Sequence, residues 1–185
     1  MCAVRSARAG DICVLLVPEM EEMAVLRRAQ EALAQAFSGW VSPEVAIACQ
    51  RFDPPENHSI EEVVMRLRSA IARLPAFPVY ARGLTQFLAP FWQAYVLRWE
   101  VEQTELFAQF IHGLDQSLIE NGLEPHYPHD TPFTCSGIDL ITPVKIEYAP
   151  KESYPKLLFN ARRVVFSKVL GLNDFETLGT VKLKV

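Results

Sequence analysis

Two short stretches decide the fold of this chain: EVAIACQRF at Glu44–Phe52 and HDTPFTCS at His129–Ser136. Each follows a segment with the apolar periodicity of a helix, and the first reads as a strand. Because side chains i and i+2 of a strand point to one face, Glu44 and Ala46 share a face. The two stretches therefore look like the two halves of a single site.

The composition is that of a globular protein. Of its 185 residues, 50% are hydrophobic and 22% are charged, and the formal net charge is −4. A protein that binds nucleic acid over its whole surface is usually basic, so any nucleotide site must be a local cleft. No apolar run approaches the ~18 residues of a membrane span. We expect a cytoplasmic protein with a tail at residues 1–10 and a single domain at residues 11–185.

Cysteine and motif patterns exclude several kinds of site. Cys2, Cys13, Cys49 and Cys135 show no C-x-x-C spacing, and three of them lie in or beside apolar strand patterns, which predicts buried thiols. Glycine-rich phosphate loops, G-x-S-x-G and H-E-x-x-H are absent from the sequence. The loop 126–129 has His-x-x-His spacing without a further ligand, so we predict neither a metal nor a cofactor.

The apolar pattern predicts three helices and a larger number of strands. The helices are expected at Glu19–Phe37, from Ser59 to Leu74, and at Thr104–Asn121. Strands are expected at Asp11–Val17, Val45–Phe52, Val79–Leu88, Ala94–Val101, Phe133–Ile141, Val144–Tyr148, Arg162–Leu170 and Thr177–Val185, with Lys151–Asn160 irregular or shortly helical. Runs of strands without helices between them favour antiparallel pairing, which predicts an α+β protein.

The order of elements over roughly residues 11–185 resembles the two-histidine (2H) phosphoesterase superfamily, which includes bacterial RNA 2',3'-cyclic phosphodiesterases, often called 2'-5' RNA ligases. Pro43–Phe52 resembles the first family strand, in which His-x-Thr is followed by a phenylalanine. Phe77–Phe87 is similar to the strand after the second helix, and Thr104–Gly122 to the segment that leads into the second motif.

This resemblance implies a bilobal, pseudo-twofold α+β fold of antiparallel sheets with flanking helices. It also implies a cleft lined by two His-x-Thr pairs, in which one histidine acts as base and the other as acid. The threonines hold phosphate oxygens, and no metal is needed. Imidazole suits this chemistry because it titrates near neutral pH.

The sequence departs from the family pattern in both motifs. Glu44 stands in place of the first histidine and Ala46 in place of the first threonine. For the second motif, His129-Asp130-Thr131 matches the His-x-Thr pattern. Pro132–Cys135 fits a strand better but keeps only the threonine of that pattern, Thr134. A carboxylate repels an anionic phosphodiester, and alanine donates no hydrogen bond. Loss of one general acid or base costs about 10²- to 10⁴-fold in rate, so we expect degenerate motifs with little or no two-histidine catalysis.

The candidate site residues follow from the resemblance and from side-chain chemistry. His129 and Glu44 are the candidate catalytic residues. The candidate ligands of a nucleotide or RNA-end phosphate are Thr131, Thr134, Arg51 and Tyr127. The guanidinium of Arg51 suits phosphate, with a surface salt bridge as the alternative.

Three functions stay open at this point. The leading hypothesis is a binding protein for a nucleotide or an RNA end; the alternatives are a divergent 2',3'-cyclic phosphodiesterase or RNA ligase-like enzyme, and a non-catalytic scaffold. Arg82 and Arg98 face either solvent or the cleft. An aromatic cluster is predicted to form core or lobe interface, or to stack on a base. Its members are Phe91, Trp92, Tyr95 and Trp99. The oligomeric state is open, with Thr177–Val185 as a candidate edge.

Overall fold

The structure is a computed structural model that describes residues 8–42, 45–55, 58–89, 94–126, 132–140, 153–171 and 174–185. Within these ranges the chain forms three helices and nine strands. Their order is β1 (Ile12–Leu16), α1 (Met20–Phe37), β2 (Gly39–Val41), β3 (Ile47–Phe52), α2 (Ile60–Ile71), β4 (Phe77–Ala89), β5 (Ala94–Val101), α3 (Glu105–Glu120), β6 (Thr134–Leu140), β7 (Lys156–Ala161), β8 (Arg163–Gly171) and β9 (Asp174–Lys182).

The nine described strands form one antiparallel sheet that divides into a group of five and a group of four. Its order is β7-β4-β5-β6-β3-β1-β8-β9, with β2 paired to β6. We call β7-β4-β5-β6, with β2, the β5 half, and β3-β1-β8-β9 the β1 half. They meet at β3 and β6, where Ile47 pairs with Cys135. The architecture confirms the predicted α+β, bilobal fold and places the two motif strands side by side at the centre.

Local capping explains why the helix limits were predictable. Ser59 Oγ accepts a hydrogen bond from the Glu62 amide (3.2 Å), and Thr104 Oγ1 accepts one from the Phe107 amide (3.3 Å). At the other end of α3, Gly122 has φ 74°, a left-handed conformation that favours glycine. These contacts fix α2 and α3 close to the predicted bounds.

All three helices pack on the same face of the sheet. The main core contains Leu26 of α1, Leu67 of α2 and Leu114 of α3, together with strand residues of both halves. Trp99 is 1% exposed within it, which confirms a core position for that member of the predicted aromatic cluster. Tyr95 packs against a neighbouring cluster on the same side. Phe91 and Trp92 lie outside the described residues.

The opposite face of the sheet, which we call the far face, has its own small apolar cluster. Its buried members are Cys13, Leu15, Ala46 and Val169, and the partly buried Ala48 packs against them. The described members of this cluster all come from strands and the residues next to them. The sheet thus separates a helix-covered core from a second face that can carry a site.

Three strand predictions need correction or lie outside the described residues. Lys156–Ala161 is strand β7, not irregular or helical, because it pairs with β4 through contacts such as Val79 with Phe159. The short β2 was not predicted, and β9 begins at Asp174, ahead of Thr177. The predicted strand Val144–Tyr148 lies outside the described residues.

The described cysteines are buried thiols, as predicted. Cys13, Cys49 and Cys135 are free and buried. Burial raises the pKa of the Cys13 thiol to about 11 and that of the Cys135 thiol to about 12. Cys2 lies outside the described residues. In the part of the chain that the structure describes, the helices are too short or too polar to cross a membrane.

Candidate functional site

At the junction of the two halves, two small side chains from each motif strand point to the far face. Ile47 and Cys135 pair with one another and point into the main core. Their neighbours along each strand therefore point to the far face. On the first strand these are Ala46 and Ala48, and on β6 they are Thr134 and Ser136. The two motif strands thus face the same region, one with methyl groups and the other with hydroxyls.

The Ser136 hydroxyl ties the two motif strands together. It donates to the Ala46 carbonyl (3.1 Å) and lies 3.3 Å from the Ala46 amide, which donates to it. Ser136 is 7% exposed. The Arg98 guanidinium reaches the same hydroxyl, with Nη1 3.4 Å from Oγ. A cation and a hydroxyl therefore meet where β3, β5 and β6 come together.

A bulge between β5 and β6 brings this guanidinium into position. Trp99 pairs with Cys135 and Leu97 with Ile138, so Arg98 alone faces two residues of β6, Ser136 and Gly137. A Cβ atom at position 137 would collide with the Leu97 carbonyl oxygen. Glycine is therefore required for the strands to approach, and the bulge sets Arg98 beside Ser136 on the far face. We call Thr134, Ser136 and Arg98 the polar strip.

Carboxylates lie around the polar strip. Arg98 Nη2 is 3.6 Å from Asp139 Oδ1. Burial raises the pKa of the Asp139 carboxyl, while the Arg98 charge opposes that shift. Thr134 pairs across the sheet with Glu100, which forms an ion pair with Arg82. The sequence left open whether Arg82 and Arg98 face solvent or the cleft. In the structure, Arg98 points to the far face and Arg82 is exposed beside Glu100.

Arg51 lies in the β1 half and is buried. Its Nε atom is 3.5 Å from Asp11 Oδ2, and the residue is 8% exposed. The salt bridge considered as the alternative role of Arg51 is therefore buried, because Cys13 of β1 pairs with Arg51 and Asp11 immediately precedes β1. The preceding Gln50 points the other way and donates to Asp115 of α3 (2.8 Å).

Four of the six candidate site residues lie outside the described residues: Glu44, Tyr127, His129 and Thr131. The structure brings Thr134 to the far face at the strand junction and places Arg51 in a different half. The sequence predictions missed Ser136. Its signal was the Thr-x-Ser alternation of β6, which aims two hydroxyls at one face once the strand register is known.

A separate pocket of about 400 Å³ lies where β3 ends and α3 finishes. Its lining includes Asp53, His58, Asn121, Glu124 and His126. His126 Nε2 is 3.0 Å from Asp53 Oδ2, and its amide donates to the Arg51 carbonyl (2.8 Å). Among the described residues, no cluster of three or more His, Cys, Asp or Glu could hold a metal ion.

Comparison with known proteins identifies the fold. No protein-family model and no curated protein sequence matches this chain. Solved structures do match along nearly its whole length. E. coli LigT complexed with NADP+ has a TM-score of 0.64 at 10% identity, covering 97% of this chain and 100% of that chain. E. coli LigT complexed with 3'-AMP has a TM-score of 0.62 at 11% identity, covering 96% and 100%.

A solved phosphoesterase structure gives the same result, with a TM-score of 0.64 at 12% identity, covering 96% of this chain and 100% of that chain. At identities this low, the likeness establishes the fold alone. The chain has the 2H phosphoesterase-like fold that its sequence predicts.

Proposed function

We propose that this chain is a 2H phosphoesterase-like protein that binds a nucleotide or an RNA-end phosphate on the far face, with little or no ordinary two-histidine catalysis. The observation that carries the proposal is the polar strip at the junction of the two motif strands. Two hydroxyls and a guanidinium lie there on one face, next to the short side chains of two alanines on the neighbouring strand.

The chemistry of the polar strip suits phosphate. A guanidinium matches the geometry of phosphate oxygens, and the Thr134 hydroxyl can donate to them. The Ser136 hydroxyl already donates to the Ala46 carbonyl. The Arg98 side chain is 21% exposed, so a phosphate in solvent can approach its guanidinium. Phe133 does not fill this region, because its ring packs against Phe107 on the helix side (5.0 Å between centroids).

The same positions offer little for proton transfer. Ala46, Ala48, Thr134 and Ser136 carry no group that titrates near neutral pH, whereas an acid–base mechanism needs one. The alternative of a divergent phosphodiesterase depends on His129 and Glu44, which lie outside the described residues. Nucleotides are favoured as ligands because the structures of similar fold include E. coli LigT with NADP+ and with 3'-AMP.

Calorimetric titration with 3'-AMP tests the binding proposal. We expect the wild type to bind and Arg98→Gln to bind about 10- to 150-fold more weakly, because a hydrogen bond to a charged group contributes about 1.5–3 kcal/mol. Arg66→Gln is the matched control, since it removes the same charge from an exposed position on α2. A wild type that does not bind, or equal losses in both variants, would contradict the proposal.

Hydrolysis of 2',3'-cyclic AMP separates the three functions. The proposal expects no turnover by the wild type alongside binding of 3'-AMP. Turnover that disappears in His129→Ala would establish the enzyme alternative instead. The absence of turnover, of binding and of any change in melting temperature across a panel of nucleotides would favour a non-catalytic scaffold.

A further inference from the structure

A row of four side chains crosses the β5 half on the far face, next to the polar strip. Trp40 of β2 pairs with Asp139 of β6. Asp139 pairs in turn with Val96 of β5, and Val96 pairs with Phe87 of β4. Residues that pair across antiparallel strands share a face, so the whole row lies on the far face. The contact between Asp139 and Arg98 joins the row to the polar strip.

The two ends of this row are exposed aromatic rings. Trp40 is 68% exposed and Phe87 is 41% exposed, whereas Val96 between them is 1% exposed. The partners of Gly39 and Val41 on β6, Leu140 and Ile138, pack in the cluster beneath α1, so the Trp40 ring points away from that helix. Within the described ranges, these two are the exposed large aromatic hydrophobics, and both fall in one row.

The spacing of the rings defines the size of the ligand. β2, β6, β5 and β4 are successive neighbours, so three strand spacings of ~4.8 Å separate the ends of the row by roughly 14 Å. One nucleobase cannot cover both rings. A nucleic-acid strand laid across the four strands can place one base on each ring, while its phosphates approach Arg98, whose side chain is 21% exposed, and the partly exposed Thr134.

We propose that Trp40 and Phe87 are stacking surfaces for two bases of a single-stranded RNA whose phosphate contacts the polar strip. The inference rests on the proposed function and extends it, because it names an oligonucleotide and not a mononucleotide as the ligand. Aromatic rings beside a cation form the usual platform for single strands, since any base can stack on them. The Arg98 guanidinium beside the exposed rings can contact phosphate, which favours this occupant over an apolar protein segment. Asp139, in the same row and 3.6 Å from Arg98, opposes that contact.

The probe for the test is a 3'-phosphorylated triadenylate, titrated in parallel with 3'-AMP. We expect the wild type to bind the trinucleotide at least ~10-fold more tightly than 3'-AMP. Trp40→Ala and Phe87→Ala should each weaken trinucleotide binding by about 10-fold, in line with the loss of one stacked base. Trp40→Phe should retain most of the affinity, and Trp40→Leu should not. Met65→Ala, at an exposed apolar position on α2, is the control and should change neither affinity.

The outcomes distinguish this inference from the proposed function. If 3'-AMP binds but the trinucleotide binds no more tightly, or if both alanine variants keep wild-type affinity, the stacking inference is wrong and the proposed function stands. If the wild type binds neither probe, the proposed function and the stacking inference are both wrong. If Trp40→Ala changes the sedimentation of the protein but not its affinity for RNA, the row is a protein contact and the inference is overturned. The melting temperature of the Trp40 variants should stay close to the wild-type value, because Trp40 is 68% exposed.

Discussion

Asp139 shows how one residue at the far face couples charge to stability. Its side chain is 15% exposed, and burial raises the pKa of its carboxyl against the opposing charge of Arg98. The folded protein therefore binds this proton more readily than the unfolded chain does. The stabilising effect of the proton is fully present below the unfolded pKa and is lost as the pH rises through the folded pKa.

Asp139→Asn should therefore gain stability relative to the wild type as the pH increases. Near pH 3 the carboxyl is protonated in both states of the wild type, and the two proteins should melt at similar temperatures. Above the raised pKa, the variant avoids a buried charge and should melt at a higher temperature. Thermal melts between about pH 3 and 7 measure the difference. A difference between Asp139→Asn and the wild type that does not vary with pH would contradict this role of the carboxyl.

The residues of the candidate site could be predicted only in part. Ala46 and Thr134 were found because a two-residue alternation is visible in the sequence. Ser136 and Arg98 were not assigned, because the bulge at Gly137 sets which β6 residues lie opposite Arg98. That bulge depends on how closely two strands approach, and the sequence of one strand does not contain this information.

Helix α3 is the element that connects the aromatic core to the motif strands. The Phe107 ring lies 5.0 Å from Phe133, which precedes β6, and 6.0 Å from Phe77 of β4. Phe107 is 1% exposed, whereas the neighbouring Leu106 is 43% exposed. One helical position therefore supports both the second motif strand and β4 of the β5 half.

Phe107→Ala should lower the free energy of unfolding by about 3–5 kcal/mol, because it removes a buried ring and leaves a cavity between helix and sheet. Leu106→Ala should cost less than about 1 kcal/mol, since Leu106 is already 43% exposed. Urea denaturation followed by circular dichroism measures both values. Similar losses in the two variants would show that α3 does not bury the Phe107 ring against the sheet.

The starts of the three helices were predicted to within one residue, although α2 ends at Ile71 and not at Leu74; two strands were not predicted. Helix limits depend on local signals such as the Ser59 and Thr104 caps, which lie within a few residues of the bonds they form. β2 and β7 depend on distant partners: β2 pairs with β6, and β7 pairs with β4. β7 also lies at an edge of the sheet, where a strand has one neighbour to define it.

At the scale of the whole molecule, the two halves of the sheet share one core. The backbone pairing that joins them is short, with Ile47 and Cys135 as the paired residues. The main core, however, contains Val14 and Phe52 of the β1 half together with Trp99 of the β5 half. Because this apolar contact crosses the junction, neither half can expose its buried face without exposing that of the other. We therefore expect the protein to unfold as a single cooperative unit.

Cysteine labelling provides a test of this cooperativity. Cys49 lies on β3 and Cys135 on β6, so they report on separate halves, and both are 0% exposed. Burial also raises the pKa of both thiols, which keeps them in the unreactive protonated form at pH 8. In a Cys2→Ser background, a thiol reagent followed by peptide mass spectrometry should modify the two sites over the same range of urea concentration. That range should coincide with the loss of helical circular dichroism. Labelling of Cys135 at lower urea than Cys49 would mean that the β5 half opens independently, and that the shared core does not couple the two motif strands.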